Sequence, residues 1–115
     1  DEIPVLQLDR QQIKQTLINL IDNAISSIKT EGRIMIRLYP DKAADKVYLE
    51  IADTGEGVSD SDKPYLFEPD FTTKKYGMGL GLAIVSTIVS DHNGRIWAED
   101  NAPRGSKFVI EFPVR

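Results

Sequence analysis

The apolar residues of the chain follow two different periods, and the change of period divides the sequence into elements. Within residues 13–28 they recur at helical offsets, at Ile13, Leu17, Leu20, Ile21, Ala24, Ile25 and Ile28. Asp9 precedes this stripe as an N-cap, with Gln12 three residues later, and Gly32 follows its end. The pattern therefore predicts an amphipathic helix over Arg10–Lys29.

Alternation with a period of two predicts strands elsewhere in the chain. "RIMIRLYP" and "KVYLEIAD" each place three aliphatic residues on one face, and the polar stretch Pro40–Lys46 between them predicts a hairpin loop. "RIWAE" and "KFVIEFPV" predict two further strands joined by a turn around Pro103–Gly105, and Val5–Leu8 is a short fifth candidate. Leu80–Asp91 has helical periodicity and ends at Asn93-Gly94. Helices combined with hairpin-connected strands predict a helix layer on a mixed sheet.

Composition is typical of a single folded domain and excludes several kinds of chemistry. The 115 residues suffice for one domain, and 41% hydrophobic with 28% charged residues supports a packed core. The chain has no cysteine and one histidine, His92, so disulfides, thiol nucleophiles and Cys- or His-rich metal sites are excluded. The net charge of −4 argues against nucleic acid or an anionic membrane as the main partner. Because the chain begins at Asp1 without a leader, we expect an excised domain, 1–115.

Three polar residues lie along one face of the first predicted helix. Gln15, Asn19 and Asn23 are four residues apart and therefore align. Asparagine is unfavourable inside a helix because its side chain competes for backbone hydrogen bonds. In one interpretation, Asn23 offers its amide oxygen to a hard cation while Asn19 supports a phosphate or a water. The other interpretation, which this helix alone favours, is a solvated face.

Two glycine-containing segments are candidates for ligand contact. Asp53–Gly57, "DTGEG", directly follows a strand, so its aspartate can accept hydrogen bonds from a ligand amino group while its glycines allow close approach. An Asx turn explains the same letters. Gly77–Leu82, "GMGLGL", leads into a helix whose free N–H groups suit a phosphate. It matches neither a dinucleotide fingerprint nor a Walker loop, and a flexible hinge is the alternative.

The long segment between Gly55 and Gly79 has weak periodicity and is typical of a functional lid. Its centre is Phe67–Lys74, "FEPDFTTK". We expect Phe67 and Phe71 to anchor this lid on the body of the domain or on a partner; a small apolar cluster under a loop is the alternative. In the same segment, the hydroxyls of Thr72 and Thr73 and the cation of Lys74 are available to bind a phosphate chain.

The order of these motifs resembles the catalytic, ATP-binding domain of bacterial sensor histidine kinases, in the wider group shared with DNA gyrase, Hsp90 and MutL. The motifs are "NLIDNA", "DTGEG", "FEPDFTTK", "GMGLGL" and a closing strand after Gly105-Ser106, and the resemblance runs from Asp9 to about Pro113. It implies a Bergerat-type fold, an α/β two-layer sandwich. Its mixed, mostly antiparallel sheet of about five strands would be covered on one face by about three helices, with an ATP lid. "FEPDFTTK" resembles the branch that includes nitrogen-regulation sensors.

The resemblance implies a role for each matching position. Asn23 would be the Mg²⁺ ligand and Asn19 its phosphate-side or metal-side neighbour, and these two with Lys74 would be catalytic. Asp53 would bind the exocyclic amine of adenine, and Ser106 would help to fix the pocket floor near it. The remaining ATP contacts would come from Gly55, Gly57, Thr73, Lys74, Gly77, Gly79, Leu80, Gly81 and Leu82.

One position separates the kinases from the hydrolases of this group. In ATP-hydrolysing relatives a Glu one helical turn before the metal-binding Asn acts as general base, and here that position is Asn19. We therefore expect the domain to transfer the γ-phosphoryl group of Mg-ATP to a histidine on a separate dimerisation domain. The alternatives are an ATP-driven conformational switch of the same group and a binding module that has lost the nucleotide.

The resemblance also implies partners and a location. The partners would be ATP or ADP, the dimerisation and phosphoacceptor-His domain of the same kinase and, indirectly, a response regulator, without nucleic acid or direct membrane contact. The domain would be cytoplasmic, and any membrane anchor of the full-length kinase would lie outside it. We expect His92, at a helix end, to have a structural role and not to be the phosphoacceptor. Asp70 departs from the pattern, because many relatives have a second Phe there.

Overall fold

The computed structural model describes residue 4, residues 6–68 and residues 81–114 of the chain. Two α-helices, one short 3₁₀ turn and four strands occur in these ranges. In chain order they are α1 (Arg10–Ser27), β1 (Ile34–Asp41), β2 (Lys46–Asp53), the 3₁₀ turn (Lys63–Tyr65), α2 (Gly81–Asp91), β3 (Arg95–Asp100) and β4 (Ser106–Pro113). Neither helix of these ranges has the length and apolar character needed to cross a membrane.

The four strands form one antiparallel sheet in the order β1-β2-β4-β3. At its centre Ile51 is paired with Phe108 and Leu49 with Ile110. Directly paired residues point to the same face, and both helices pack on the face that these four share. The helices contribute core residues that are at most 1% exposed, namely Leu20, Ala24, Leu82, Val85 and Val89. The predicted two-layer α/β sandwich with helices on one face is therefore confirmed.

The counts of elements differ slightly from the prediction. The described ranges contain four strands and two α-helices where about five and about three were expected. Residues 6–8 pair with no strand of these ranges; instead, Leu6 and Leu8 pack against the core. The next residue, Asp9, caps α1, because its carboxylate accepts the N–H of Gln12 at 2.9 Å.

The first helix ends two residues earlier than its sequence pattern predicts. Ile28 is already extended, with φ −95° and ψ 117°. The carbonyl of Ser27 accepts a hydrogen bond of 3.1 Å from the N–H of Glu56, in the loop after β2. The Ser27 carbonyl, which a longer helix would have used in its own hydrogen bonds, is thus taken by a distant part of the chain. The apolar periodicity of the helix cannot predict such a contact.

The end of α2 follows from its sequence. Asn93 takes a left-handed conformation with φ 61°. The N–H groups of Asn93 and Gly94 donate to the carbonyls of Ser90 and Val89 at 3.0 and 2.9 Å, which is the Schellman arrangement. A Cβ at position 94 would lie 2.6 Å from the carbonyl oxygen of Glu111, so glycine is required for the close passage of β4. The predicted helix end at Asn93-Gly94 is confirmed.

The helix layer does not cover the whole sheet. Ile36 and Leu38 of the edge strand β1 are paired with Ile51 and Leu49 and therefore point to the helix side. They are nevertheless 51% and 53% exposed, whereas Ile51 is 1% exposed. Apolar alternation in β1 thus identifies the face of the strand correctly without showing how far the helices reach.

The opposite face of the sheet carries a polar network around one buried carboxylate. Glu50 is 7% exposed and accepts hydrogen bonds from the Tyr39 hydroxyl and from Arg37, the latter at 3.3 Å. Lys107 approaches the same carboxylate at 4.0 Å. The hydrogen bond to Glu50, with a further contribution from burial, raises the pKa of Tyr39 to about 12.

Candidate functional site

A cavity of about 200 Å³ lies between the end of α1, the start of α2 and the loop that follows β2. Its walls combine polar groups at one end with an apolar floor. The lining residues are Asn23, Ser26, Ser27, Lys29, Glu56, Gly57, Val58, Leu66, Leu82, Ser106 and Phe108. A larger and more open depression of about 520 Å³ beside the β1–β2 turn contains none of the predicted site residues.

Asp53 is a buried carboxylate directly behind the polar end of this cavity, in contact with the lining residues Ser27 and Ser106. It is the last residue of β2 and is 1% exposed. Its Oδ1 atom accepts the N–H of Gly55 at 2.8 Å and the hydroxyl of Ser27 at 3.0 Å, and the N–H of Ser106 approaches it at 3.4 Å. Oδ2 has the Ser106 hydroxyl at 3.4 Å, which is a long contact. One oxygen is thus well satisfied, whereas the other has spare capacity to accept a hydrogen bond.

Ser27 is a site residue that the sequence interpretation missed. Its hydroxyl lies 3.0 Å from both Asp53 Oδ1 and the carbonyl of Ala24. A hydroxyl has one proton, and donation to an ionised carboxylate is the stronger of the two bonds. The available signal was the spacing, because Ser27 continues the four-residue series of Asn19 and Asn23 along α1.

Gly55 and Gly57, in the loop after β2, are each required for a different steric reason. A Cβ on Gly55 would lie 2.1 Å from Ser27 Oγ and 2.4 Å from the Ser27 carbonyl oxygen, so the end of α1 and this loop could not approach each other. Gly57 has φ 78°, a conformation that side chains rarely adopt, and it faces the Gly105 carbonyl. Gly55 thus permits the end of α1 to pack against this loop, and Gly57 supplies a positive φ, whereas their contact with a ligand stays a prediction.

The two asparagines of α1 occupy different surroundings. Asn23 is 9% exposed and lines the cavity. Asn19 lies beside the start of α2, where its side-chain amide contacts the carbonyl of Gly81 at 3.4 Å. The Asn19 and Asn23 part of this face therefore points towards α2 and the cavity, whereas Gln15 at its other end is exposed to solvent.

The structure brings most of the described candidates together. Asn23, Gly57, Leu82 and Ser106 line the cavity, and Asp53 with Gly55 lies directly behind its polar end. Asn19 and Gly81 are adjacent to each other but are not among the lining residues. The remaining predictions lie outside the described residues: Asp70, Phe71, Thr72, Thr73, Lys74, Gly77, Gly79 and Leu80.

Two further predicted residues have clear packing partners. The ring of Phe67 meets that of Phe108 edge to face, with centroids 6.1 Å apart, so the predicted lid segment contacts the cavity floor at Phe67. His92 hydrogen-bonds through one ring nitrogen to the carbonyl of Ile88 at 2.8 Å and through the other to the N–H of Asp9 at 2.9 Å. Both bonds fit the structural role that was expected of this histidine.

The described lining of the cavity has too few oxygen ligands of its own to hold a cation unless a bound ligand supplies the others. Among the described residues, no group of three or more acidic or histidine side chains could hold a metal ion. The Asn23 amide opens onto the cavity, and Mg²⁺ commonly takes one or two protein oxygens with phosphate oxygens and water completing its shell. The residues present therefore fit a magnesium ion that enters with a nucleotide.

A protein-family model matches residues 8–115 of the chain, and its description is histidine kinase-, DNA gyrase B- and HSP90-like ATPase. The chain belongs to this family. The family resemblance inferred from the four motifs is therefore confirmed across nearly the whole of this ATPase-family domain.

Relatives of this ATPase-family domain are sensor histidine kinases. The sensor protein FixL of Bradyrhizobium diazoefficiens is 42% identical over 92% of this chain, and the chain spans 21% of the FixL sequence. The nucleotide-free catalytic domain of histidine kinase ThkA has a TM-score of 0.83 at 39% identity, covering 95% of this chain and 70% of that one. A structure of ThkA in complex with the response regulator TrrA has a TM-score of 0.82 at 35% identity, covering 100% of this chain and 32% of that one.

Proposed function

We propose that this domain binds Mg-ATP and transfers the γ-phosphoryl group to a histidine on the dimerisation domain of the same sensor kinase. The observation that carries the proposal is the Asp53 carboxylate, buried directly behind the polar end of a cavity, with one oxygen satisfied by neutral donors and the other with spare capacity to accept. Support for the kinase assignment comes from the family match and from relatives that are named sensor histidine kinases.

The arrangement around Asp53 suits an adenine base. Oδ2 is the free acceptor for the exocyclic amino group, while Oδ1 is held by Ser27 and Gly55. An ionised carboxylate only accepts hydrogen bonds, so the 6-oxo group of guanine would be repelled at the same place. Leu66, Leu82 and Phe108 supply apolar walls for the ring.

The phosphate end of the nucleotide would extend towards Asn23 and the start of α2. Asn23 would hold Mg²⁺ through its amide oxygen, and the ion would neutralise developing charge on the phosphate oxygens. The N-terminus of α2 and the adjacent Asn19 provide a positive dipole end and an amide donor on that side. We further propose that the phosphate chain is bound by Thr73, Lys74, Gly77, Gly79 and Leu80.

The transfer step needs no nucleophile from this domain. A ring nitrogen of the acceptor histidine attacks the γ-phosphorus, so an N–P bond forms while the bond to the β,γ-bridging oxygen breaks. ADP leaves with that electron pair, and the proton of the histidine passes to solvent or to a base beside it. Asn19 has no carboxylate with which to activate water, and this favours transfer over the ATP-driven conformational switch.

The wider assignment follows from the same proposal. The phosphohistidine would in turn pass its group to a response regulator, and the complex of ThkA with TrrA supports a partner of that class. A cytoplasmic location is proposed because ATP and response regulators are found there. The nitrogen-regulation branch stays a prediction.

Calorimetric titration with ADP and with a non-hydrolysable ATP analogue, with and without Mg²⁺, tests the binding half. We expect micromolar binding by the wild type, its loss in Asp53→Ala and no change in Asp91→Ala, which removes an exposed carboxylate at the far end of α2. Asn23→Ala should lose the Mg²⁺ dependence while keeping binding to adenosine. A folded wild type that binds neither nucleotide would contradict the proposal.

The transfer half requires the acceptor domain of the parent protein. Mixing that domain with this one and Mg-ATP should give acid-labile, alkali-stable phosphohistidine. Release of free phosphate without phosphohistidine would instead favour the conformational-switch ATPase. Full transfer by Asn23→Ala would show that the magnesium assignment is wrong.

A further inference from the structure

Three side chains hold the loop that follows β2 from the side away from the cavity. Asn101 Nδ2 donates to the Asp53 carbonyl at 2.8 Å, and Arg104 Nε donates to the Gly55 carbonyl at 2.9 Å. Lys63 Nζ donates to the Val58 carbonyl at 3.0 Å. We call Lys63, Asn101 and Arg104 the outer clamp, because none of the three lines the cavity.

The outer clamp acts on the backbone of the loop that forms the polar end of the cavity. Its three bonds fix the carbonyls of residues 53, 55 and 58, while residues 56–58 of the same loop line the cavity on the other side. Each peptide plane has its carbonyl and its N–H on opposite sides. Fixing the carbonyls therefore also fixes the directions of the N–H groups at positions 54, 56 and 59.

Two of the bonds come from cations, which makes them stronger than neutral ones. Lys63 is held in turn by Asp60 at 2.7 Å and Asp100 at 2.9 Å. Those bonds raise the pKa of the Lys63 ammonium, so it keeps its charge across the neutral range. The clamp thus joins the 3₁₀ turn and the β3–β4 turn to one short loop.

The β3–β4 turn itself is built to lie against the loop. Gly105 has φ 108°, and a Cβ there would lie 1.9 Å from the Asp53 carbonyl oxygen. The N–H of Asn101 donates to the Gly105 carbonyl at 3.0 Å and closes the turn. Asn101 and Arg104 therefore project from a turn whose position relative to Asp53 is fixed by backbone contact.

We propose that Asn101 and Arg104 are positioning residues for adenine recognition, because they set the backbone on which the Asp53 carboxylate and Gly57 face the base. This inference rests on the proposed nucleotide-binding function. It adds two side chains that lie outside the cavity and that would touch no atom of the nucleotide.

The test compares ADP binding with local backbone opening. We expect Arg104→Ala and Asn101→Asp each to weaken ADP binding about tenfold, because each variant loses one partly buried hydrogen bond to the loop. In the nucleotide-free protein, amide hydrogen exchange at Gly55 and Glu56 should become faster in both variants, while exchange in the sheet centre stays unchanged. Arg104→Lys retains a cationic donor and should recover part of the affinity.

Arg95→Ala is the matched control, since it removes a cation that lies over Trp97 at the start of β3. It should leave both ADP affinity and exchange at Gly55 unchanged. If the wild type binds ADP and both Arg104→Ala and Asn101→Asp bind it with the same affinity, the positioning role alone would be overturned. If the wild type does not bind ADP, the proposed function and this role would both be overturned. If amide hydrogen exchange at Gly55 is unchanged in the two variants, the outer clamp would be overturned whatever the ligand.

Discussion

The backbone N–H of Asp9 donates a hydrogen bond of 2.9 Å to Nε2 of His92, across 83 positions of sequence. A backbone N–H only donates, so Nε2 must accept, and the ring proton must lie on Nδ1, which donates to the Ile88 carbonyl at 2.8 Å. The ring also meets Phe112 edge to face, with centroids 6.5 Å apart. One imidazole thus links the cap of α1, the end of α2 and β4.

We expect His92→Ala to lower the free energy of unfolding by about 1–3 kcal/mol, because two hydrogen bonds and a ring contact are lost. Urea denaturation of the isolated domain measures this change, with Asp91→Ala as the neighbouring control. ADP affinity should not change, since His92 follows the end of α2 and does not line the cavity. A loss of stability no greater than that of Asp91→Ala would contradict the structural role.

Tyr39 should titrate separately from an ordinary tyrosine. Its pKa is raised from 10.0 to about 12, first by the hydrogen bond to Glu50. Because the folded state holds this proton more tightly, the stabilisation is complete below pH 10 and is lost as the pH rises through 12. The wild type should show a tyrosinate absorbance step near pH 12 that is missing in Tyr39→Phe, and the stability difference between the two should vanish over the same interval. A Tyr39 step near pH 10 would contradict this.

Ser27→Ala should weaken ADP binding about three- to tenfold, because Asp53 Oδ1 loses one of its donors. Removing that donor also leaves the carboxylate freer to rotate away from the base. Calorimetry provides the measurement, with Ser90→Ala, at an exposed position of α2, as the control. Equal affinity in Ser27→Ala and Ser90→Ala would show that Gly55 and Ser106 suffice to hold Asp53.

Gly55→Ala should cost more than about 2 kcal/mol of stability and abolish ADP binding, since the new Cβ would overlap the end of α1. The double variant Ser27→Gly/Gly55→Ala removes the nearest side-chain atom but leaves the Ser27 carbonyl oxygen at 2.4 Å from the new Cβ. It should therefore not recover stability. Thermal unfolding of the three proteins checks the order, and recovery in the double variant would contradict the backbone clash.

Two isoleucines that face each other across β1 and β2 should respond very differently to truncation. Ile36 is 51% exposed and Ile51 is 1% exposed. We expect Ile51→Ala to cost about 2–5 kcal/mol and Ile36→Ala less than about 1 kcal/mol. Denaturant midpoints of the two variants measure the contrast, and similar costs would mean that the edge of the sheet is covered in the folded protein.

Local patterns predicted the elements of the fold well where their causes are local. The Asp9 cap and the Asn93-Gly94 helix end depend on neighbours within a few residues, and both were found as predicted. The early end of α1 and the exposure of Ile36 depend on distant parts of the chain, which periodicity does not contain.

Those residues of the candidate site that belong to sequence motifs could be predicted. Asn23, Asp53 and Ser106 are far apart in sequence, and only the family resemblance suggested that they meet. Asn101 and Arg104 were missed because polar residues in a turn are common and carry no distinctive spacing. Ser27 was missed although it continues the four-residue series of Asn19 and Asn23. The contacts of these three missed residues with the Asp53 loop depend on the packing of the end of α1 and of the β3–β4 turn beside it, which the local sequence does not contain.

The position of Asn23 and Ser27 on one helix has a consequence for insertions and deletions. The two residues are four apart, so they lie one above the other with a rise of about 6 Å between them. The spacing between Asn23 in the cavity wall and Ser27 beside the Asp53 carboxylate is therefore set by helix pitch and not by loop conformation. A single residue inserted between them would rotate Asn23 by about 100° relative to Ser27. This short stretch of α1 can therefore change by substitution but not by insertion or deletion without separating the two side chains.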